Sequence, residues 1–264
     1  MSDDVENMVP DVAKSKCKAR KLNAKVALAI LLVYGVVQCL SFFGMQPIAS
    51  AIAAKQGIHN PQQINLLFNV LAPFGTFAGF VFGGIAVVLV AKFLVPASLK
   101  DTGSHGAAWV TGSFDGIKDG LIIGGVIGVL NQASGFLIKH HAVYNHSDII
   151  NRMSLTPGLV QIMWIITALV LAPLSEEMLY RGVLYGGFRN SFGSTGAAVI
   201  VSLMFVIIHS DNYLDNRFNM IFIVVTTIVT LWGRLHWKAI GPAVAIHFGY
   251  NFIVVLFTLY KTRR

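Results

Sequence analysis

Residues 169–188 read LVLAPLSEEMLYRGVLYGGF, an apolar stretch that contains two adjacent carboxylates and an arginine. Its length and composition are typical of a membrane-spanning helix. A charged side chain at the centre of a bilayer costs about 2.5–3.5 kcal/mol even on the mildest scale. The three charged residues, Glu176, Glu177 and Arg181, therefore require a structural or a functional explanation.

The whole chain has the composition of a membrane protein. Of its 264 residues, 55% are hydrophobic and 12% are charged, whereas soluble domains carry about 25% charged residues. Apolar segments long enough to span a bilayer occupy residues 25–46, 65–97, 117–140, 157–189, 195–211, 217–234 and 238–260. The sequence therefore predicts an all-α fold, a polytopic membrane helical bundle of about seven or eight transmembrane helices, with an interfacial helix within 47–64.

The basic residues are concentrated in front of the first apolar segment. The net charge is +8, and six of the twenty Lys and Arg residues lie between Lys14 and Lys25. This distribution follows the positive-inside rule and suits contact with the anionic headgroups of the lipid bilayer. We therefore predict an integral membrane protein, of a bacterial plasma membrane, with a cytoplasmic N-terminus and no nucleic-acid partner. Cys17 and Cys39 suit neither a disulfide nor a metal site.

Of the three charged residues within 169–188, two can form an ion pair and the third is left unpaired. Glu177 and Arg181 have the i,i+4 spacing, with the acid first, that favours an ion pair along one helix face. Such a pair could serve helix packing alone. Glu176 lies about 100° away around the helix and is left without a partner by this pairing. A lone carboxylate at membrane depth indicates a functional site, so the sequence favours function over packing here.

A second polar position follows in the next apolar segment, where residues 205–210 read FVIIHS. A lone histidine on such a helix is usually a hydrogen-bonded core residue. However, Glu176 precedes Asn190 by fourteen residues and His209 follows Ser194 by fifteen, on either side of a turn within 189–196. At about 1.5 Å per residue, both lie about 20 Å from that turn. We therefore expect an antiparallel hairpin to bring Glu176 and His209 to the same level.

A third polar position lies in the last apolar segment, where residues 247–251 read HFGYN. His247 and Asn251 are spaced i,i+4 and share a helix face. Counted from the preceding loop near Lys238, Asn251 is expected at the depth of Glu176, with His247 nearer the cytoplasmic surface. Alone, the two residues could be a contact between helices. Three polar positions at comparable depth on three helices instead favour a shared site.

These residue types support hydrolysis by an activated water in two ways. A carboxylate beside an imidazole can take a proton from the water, while a second histidine and an asparagine amide stabilise an oxyanion. Alternatively, Glu176, His209 and His247 could bind zinc, whose usual ligands include imidazole nitrogen and carboxylate oxygen. Both alternatives remain open at this point.

The three motifs together resemble those of a known family. EEMLYR matches Glu-Glu-x-x-x-Arg, FVIIH matches Phe-x-x-x-His and HFGYN matches His-x-x-x-Asn. In this order they resemble the CPBP family of intramembrane proteases (CAAX protease and bacteriocin-processing, or Abi). The resemblance covers about residues 155–256. We accordingly divide the chain into a polar and basic cytoplasmic tail (1–24), N-terminal transmembrane helices (25–150) and a CPBP-type catalytic core (151–264).

The resemblance implies a role for each matched residue. Glu176 and His209 would activate the water, and His247 and Asn251 would stabilise the oxyanion. Support would come from Glu177, Arg181 and Phe205. The implied substrates are membrane-associated peptides, either prenylated CAAX peptides or leader-type peptides, and the resemblance implies either zinc or a metal-free glutamate mechanism.

Two other functions compete with the intramembrane endopeptidase. A non-catalytic bacteriocin-immunity or regulatory membrane protein could keep the same fold and bind a peptide. A proton-coupled transporter could relay protons through glutamate and histidine. The absence of an internal repeat in the sequence disfavours the transporter.

Overall fold

The computed structural model describes residues 21–103, 106–137, 158–209 and 217–262. These residues form helices and connecting loops, and no strand occurs among them. The α-helices are α1 (Ala24–Phe43), α2 (Met45–Lys55), α3 (Pro61–Leu94), α4 (Pro96–Leu99), α5 (Phe114–Leu137), α6 (Leu159–Ile166), α7 (Ala172–Glu177), α8 (Tyr185–Ile208), α9 (Arg217–His236) and α10 (Ile240–Thr262). Most of the predicted tail, residues 1–20, lies outside the described residues.

The predicted all-α membrane bundle is confirmed. Within the described residues, four helical stretches are long and apolar enough to cross a membrane: Ala24–Lys55, Pro61–Leu94, Leu159–Ile208 and Ile240–Tyr260. Met220–His236 is a shorter apolar helix. A helix, α2, overlaps the stretch 47–64 and follows α1 after Gly44, within the first apolar stretch Ala24–Lys55. Its interfacial position stays a prediction.

The stretch Leu159–Ile208 contains the predicted hairpin. Gly193 has φ 77° and ψ 173°, a backbone conformation that interrupts α8 and that glycine adopts without steric cost. The helix before Gly193 carries the Glu-Glu pair, and the helix after it ends at His209. The turn therefore lies within the predicted residues 189–196.

Two π-helical segments interrupt the first arm of this hairpin. They comprise Thr167–Leu171 and Met178–Leu184, and they flank α7 on both sides. Pro173 has no N–H to donate to the carbonyl of Leu169, which lies within the first π segment. π-Helical turns are uncommon and are concentrated at functional sites. The carboxylates of Glu176 and Glu177 are thus carried by a short α-helix between two widened turns.

A close pair of helices positions the HFGYN motif. The face of α5 that packs against α10 carries glycine at every fourth position, at residues 116, 120, 124 and 128. A Cβ placed on Gly124 would lie 2.0 Å from the carbonyl oxygen of Ile246. Small residues let membrane helices approach this closely. The backbone next to His247 therefore lies directly against α5.

The loop of residues 106–113, which we term the connecting loop, is folded into the protein. Ala107 and Ala108 are fully buried. The amide of Ile240 donates to the carbonyl of Ala108 at 3.0 Å, at the start of α10. The guanidinium of Arg234 donates from Nη2 to the carbonyl of Gly106 at 2.8 Å. Irregular backbone is tolerated at membrane depth only where protein covers it and satisfies its polar groups.

Candidate active site

The carboxylate of Glu177 joins two of the three sequence motifs. Its Oε1 lies 3.1 Å from Nη1 of Arg181 and 2.9 Å from Nδ1 of His247. The Glu177 and Arg181 side chains are 0% and 1% exposed. The i,i+4 ion pair expected from the sequence is therefore present, and it extends to a histidine from α10. Charges buried to this degree require such partners because desolvation is otherwise too costly.

The other side of Arg181 is covered as well. Its Nη2 donates to the carbonyl of Thr227 on α9 at 3.3 Å. Its Cζ lies 4.1 Å from the centroid of the Phe205 ring, which is a cation–π arrangement. Phe205 thus supports the guanidinium from α8, and Arg181 connects the Glu-Glu helix to both α8 and α9.

Glu176 and His209 meet across the hairpin, as the depth count predicted. Oε2 of Glu176 lies 4.0 Å from Nε2 of His209. This oxygen is buried and makes no hydrogen bond within the described part of the chain. Glu176 and Glu177 therefore point to different partners, although they are adjacent in sequence.

The ring of His209 has its orientation fixed by Phe205. Nδ1 lies 2.8 Å from the backbone carbonyl oxygen of Phe205. A carbonyl only accepts, so Nδ1 carries the proton, and Nε2 of the neutral ring is an acceptor. The two rings also stack, with their centroids 4.4 Å apart. His209 consequently presents a lone pair towards the Glu176 carboxylate.

His247 and Asn251 are held by different parts of the first hairpin arm. His247 is paired with Glu177, whereas Nδ2 of Asn251 donates to the carbonyl of Ala168 in the first π segment at 2.8 Å. His247 therefore reaches the Glu-Glu pair, whereas Asn251, one turn further along α10, reaches the first π segment. The expectation that Asn251 lies at the depth of Glu176 stays a prediction.

The structure also brings in residues that the sequence motifs did not indicate. They are the backbone carbonyls of Ala168 and Thr227, which accept from Asn251 and Arg181, and Trp109 of the connecting loop, whose Nε1 donates to the carbonyl of Met178 at 3.0 Å. Backbone acceptors carry no residue-type signal. Trp109 lies in a stretch without a motif, so its position could not be inferred from spacing.

The described part of the chain contains no cluster of side chains that could hold a metal ion. Among the described residues, no three His, Cys, Asp or Glu side chains converge as a group that could hold a metal ion. Of the three proposed ligands, His247 directs Nδ1 to Glu177, and Glu176 faces His209. As they lie in the described structure, these three side chains therefore do not converge as the ligands of one zinc ion.

Comparison with known families agrees with the resemblance seen in the motifs. Residues 158–253 match the family model described as Rce1-like, type II CAAX prenyl endopeptidase Rce1-like. The matched segment contains all the site residues proposed from the sequence and leaves the N-terminal helices outside it. No curated protein and no solved structure matched the chain. The apolar helices and this match together indicate an integral membrane protein in which residues 158–253 are similar to the Rce1-like CAAX prenyl endopeptidases.

Proposed function

We propose that the protein is an intramembrane endopeptidase, because residues 158–253 match the Rce1-like family of CAAX prenyl endopeptidases. Its substrate is a membrane-associated peptide of the prenylated or leader type. The observation that carries the proposal is the approach of Glu176 Oε2 to His209 Nε2 at 4.0 Å inside an apolar bundle. Two acceptors at this distance can bind one water molecule between them, each accepting one of its protons.

The nucleophile in this mechanism is that water. Glu176 accepts a proton from it while the water oxygen attacks the carbonyl carbon of the peptide bond. The neutral His209 ring orients the second O–H through its Nε2 lone pair, because Nδ1 is committed to the Phe205 carbonyl. The tetrahedral intermediate then collapses, the C–N bond breaks, and the proton held by Glu176 passes to the leaving amine.

The oxyanion of the intermediate is stabilised from α10. Asn251 donates one amide hydrogen to the Ala168 carbonyl and keeps a second one for the substrate. His247 has Nδ1 on the Glu177 carboxylate, so its Nε2 can donate only when the ring is an imidazolium. Fixed donors of this kind contribute more in a water-excluded site than in water.

No step of this mechanism uses a metal ion. The support is geometric, because His247 pairs with Glu177, His209 is held by a backbone carbonyl, and no three described ligand side chains converge on one point. The glutamate mechanism is therefore the alternative that the arrangement favours over zinc.

The basic segment before α1 supports the further proposal that the N-terminus is cytoplasmic. A peptide substrate would then approach the bundle from within a bacterial plasma membrane.

The proposal is tested with purified protein in proteoliposomes and a farnesylated CAAX peptide, with products identified by mass spectrometry. Cleavage by the wild type and its loss in Glu176→Gln and His209→Asn are the expected results. His236→Asn is the matched control, because His236 is exposed at the end of α9 and stacks on Trp232 rather than on a site residue. Full activity in either site variant would contradict the mechanism. A wild type that binds the peptide without cleaving it would favour the regulatory alternative.

A further inference from the structure

We propose that Trp109, which precedes the segment matched by the family model, is a positioning residue for Glu176 and Glu177. This inference rests on the proposed function. Nε1 of Trp109 donates to the backbone carbonyl of Met178 at 3.0 Å. Met178 directly follows Glu177 and is the first residue of the second π segment. The indole therefore fixes the carbonyl group of the residue that directly follows the Glu-Glu pair.

A fixed peptide unit matters here because the segment after it is widened. A π-helical turn departs from the regular helical ladder, and side chains that insert into the ladder are one recognised cause of such departures. A backbone carbonyl has two lone pairs, so Met178 can accept from the indole in addition to a helical donor. A change of orientation at Met178 would be transmitted directly to the Glu177 carboxylate and, one residue earlier, to Glu176.

The helix provides a space for the indole. A Cβ placed on Gly182 would lie 2.4 Å from Nε1 and 2.9 Å from Cδ1 of Trp109. Any side chain at position 182 would therefore displace the ring from the Met178 carbonyl. Gly182 and Trp109 form a matched pair, one on the π segment and one on the connecting loop.

The connecting loop is itself tied to the other half of the site. The amide of Trp109 donates to the carbonyl of Leu99 at 2.7 Å, and the amide of Ile240 donates to the carbonyl of Ala108 at 3.0 Å. Ile240 begins α10, which carries His247 and Asn251. One short loop thus contacts both the helix that bears the water-activating glutamate and the helix that bears the oxyanion donors. Trp109 is the loop side chain that connects it to the glutamates.

The decisive variant is Trp109→Phe, which removes the N–H donor and keeps an aromatic ring. We expect kcat to fall about tenfold, since small misplacements of reacting groups are costly, while KM stays within about twofold because Trp109 lies outside the proposed peptide-binding groups. Trp232→Phe is the control, because Trp232 is exposed and stacks on His236. Substitution of Trp109 by 3-benzothienylalanine removes the N–H with the ring shape unchanged and should reproduce the effect. Unchanged kcat in both variants would overturn the proposal.

A double-mutant cycle tests whether the hydrogen bond is the cause. Gly182→Ala should lower kcat to a similar degree, because the added methyl group displaces the indole. If both changes act through the Met178 carbonyl, the double variant should be no slower than the slower single variant. Additive losses would show that the residues act independently and would contradict the proposal.

Hydrogen–deuterium exchange separates a failure of this inference from a failure of the proposed function. The amides of residues 178–184 should exchange faster in Trp109→Phe than in the wild type, and Trp232→Phe should not change them. This readout needs no substrate. If the wild type does not cleave the peptide but exchange still rises, the positioning of the segment stands and the proposed function fails. If exchange is unchanged, the positioning role is excluded whatever the activity.

Discussion

Nδ1 of His247 lies 2.9 Å from Oε1 of Glu177, so the second carboxylate of the Glu-Glu pair is hydrogen-bonded to a histidine of the last helix. The same oxygen is 3.1 Å from Nη1 of Arg181. Glu177 therefore compensates one buried cation within its own hairpin arm and orients a ring on α10. This leaves Glu176 as the carboxylate that is available to the water of the proposed mechanism. The two adjacent glutamates have different tasks because their partners come from different helices.

We predict that Glu177→Gln destabilises the protein and abolishes cleavage. Removal of one partner of a buried ion pair typically costs about 3–5 kcal/mol, since the other charge stays buried and uncompensated. Cleavage should be lost because His247 no longer has a carboxylate to hold its Nδ1–H. Thermal unfolding in detergent measures the first effect and peptide cleavage the second.

The double variant Glu177→Gln/Arg181→Met separates these two effects. It removes both charges, so it should recover most of the lost stability, while cleavage remains absent. Recovery of cleavage together with stability would show that Glu177 serves only to compensate Arg181, and the proposed orientation of His247 would then be wrong.

We predict that Phe205→Leu weakens both parts of the site. The Phe205 ring lies 4.1 Å from the Arg181 Cζ and stacks on His209 at 4.4 Å. A desolvated cation–π contact contributes about 2 kcal/mol, and the His209 ring would lose the surface that fixes its plane. Lower thermal stability and a lower kcat are the expected results. Phe192→Leu, at an exposed position of the same hairpin, should change neither.

The helices were predictable because their signals are local. The first apolar segment, predicted at 25–46, is α1 at Ala24–Phe43, and the last, predicted at 238–260, is α10 at Ile240–Thr262. The thickness of the bilayer sets how many consecutive apolar residues a spanning helix needs. The length and composition of an apolar segment are therefore enough to predict such a helix. The matching depths of Glu176 and His209 were also predictable, because the distances of both residues were counted from the same turn of the hairpin.

The contacts between motifs were less predictable from the sequence. Glu176 and Glu177 were expected on different faces, and their separate partners show that they are. The partner of His247 and the register of Asn251 depend on how α10 packs against α5 and the connecting loop, which residue spacing does not encode. Pro173 accounts for the first π segment, since it has no N–H for the Leu169 carbonyl, but it does not account for the second. The contact between Trp109 and Met178 involves a backbone acceptor, for which no residue pattern exists.

We predict that removal of metal leaves cleavage intact. No set of three ligand side chains converges among the described residues, and in the proposed mechanism Glu176 accepts a proton from water without a metal ion. Activity should persist in protein treated with 1,10-phenanthroline and shown by mass spectrometry of the elements to lack zinc. Loss of cleavage that zinc restores would show that the site rearranges to bind a metal and would overturn the glutamate mechanism.

We predict that the spacing of α5 and α10 controls the site through Gly124. A Cβ at this position would lie 2.0 Å from the carbonyl oxygen of Ile246 and 2.9 Å from the amide nitrogen of Tyr250. Gly124→Ala therefore has to separate the two helices, and His247, which follows Ile246, has to move with the α10 backbone. We expect a lower melting temperature and a lower kcat, because His247 would be drawn from Glu177.

Gly125→Ala is the matched control for this variant. A Cβ on Gly125 has no atom within 4 Å, and the substitution introduces the same methyl group one residue later in the same helix. It should leave cleavage unchanged and stabilise the helix slightly, since alanine is the better helix former. Equal effects of the two variants would mean that loss of glycine in α5, and not the approach of α10, causes the defect. A Gly124→Ala protein with lower stability but wild-type kcat would show that α5 stabilises the bundle without setting the position of His247.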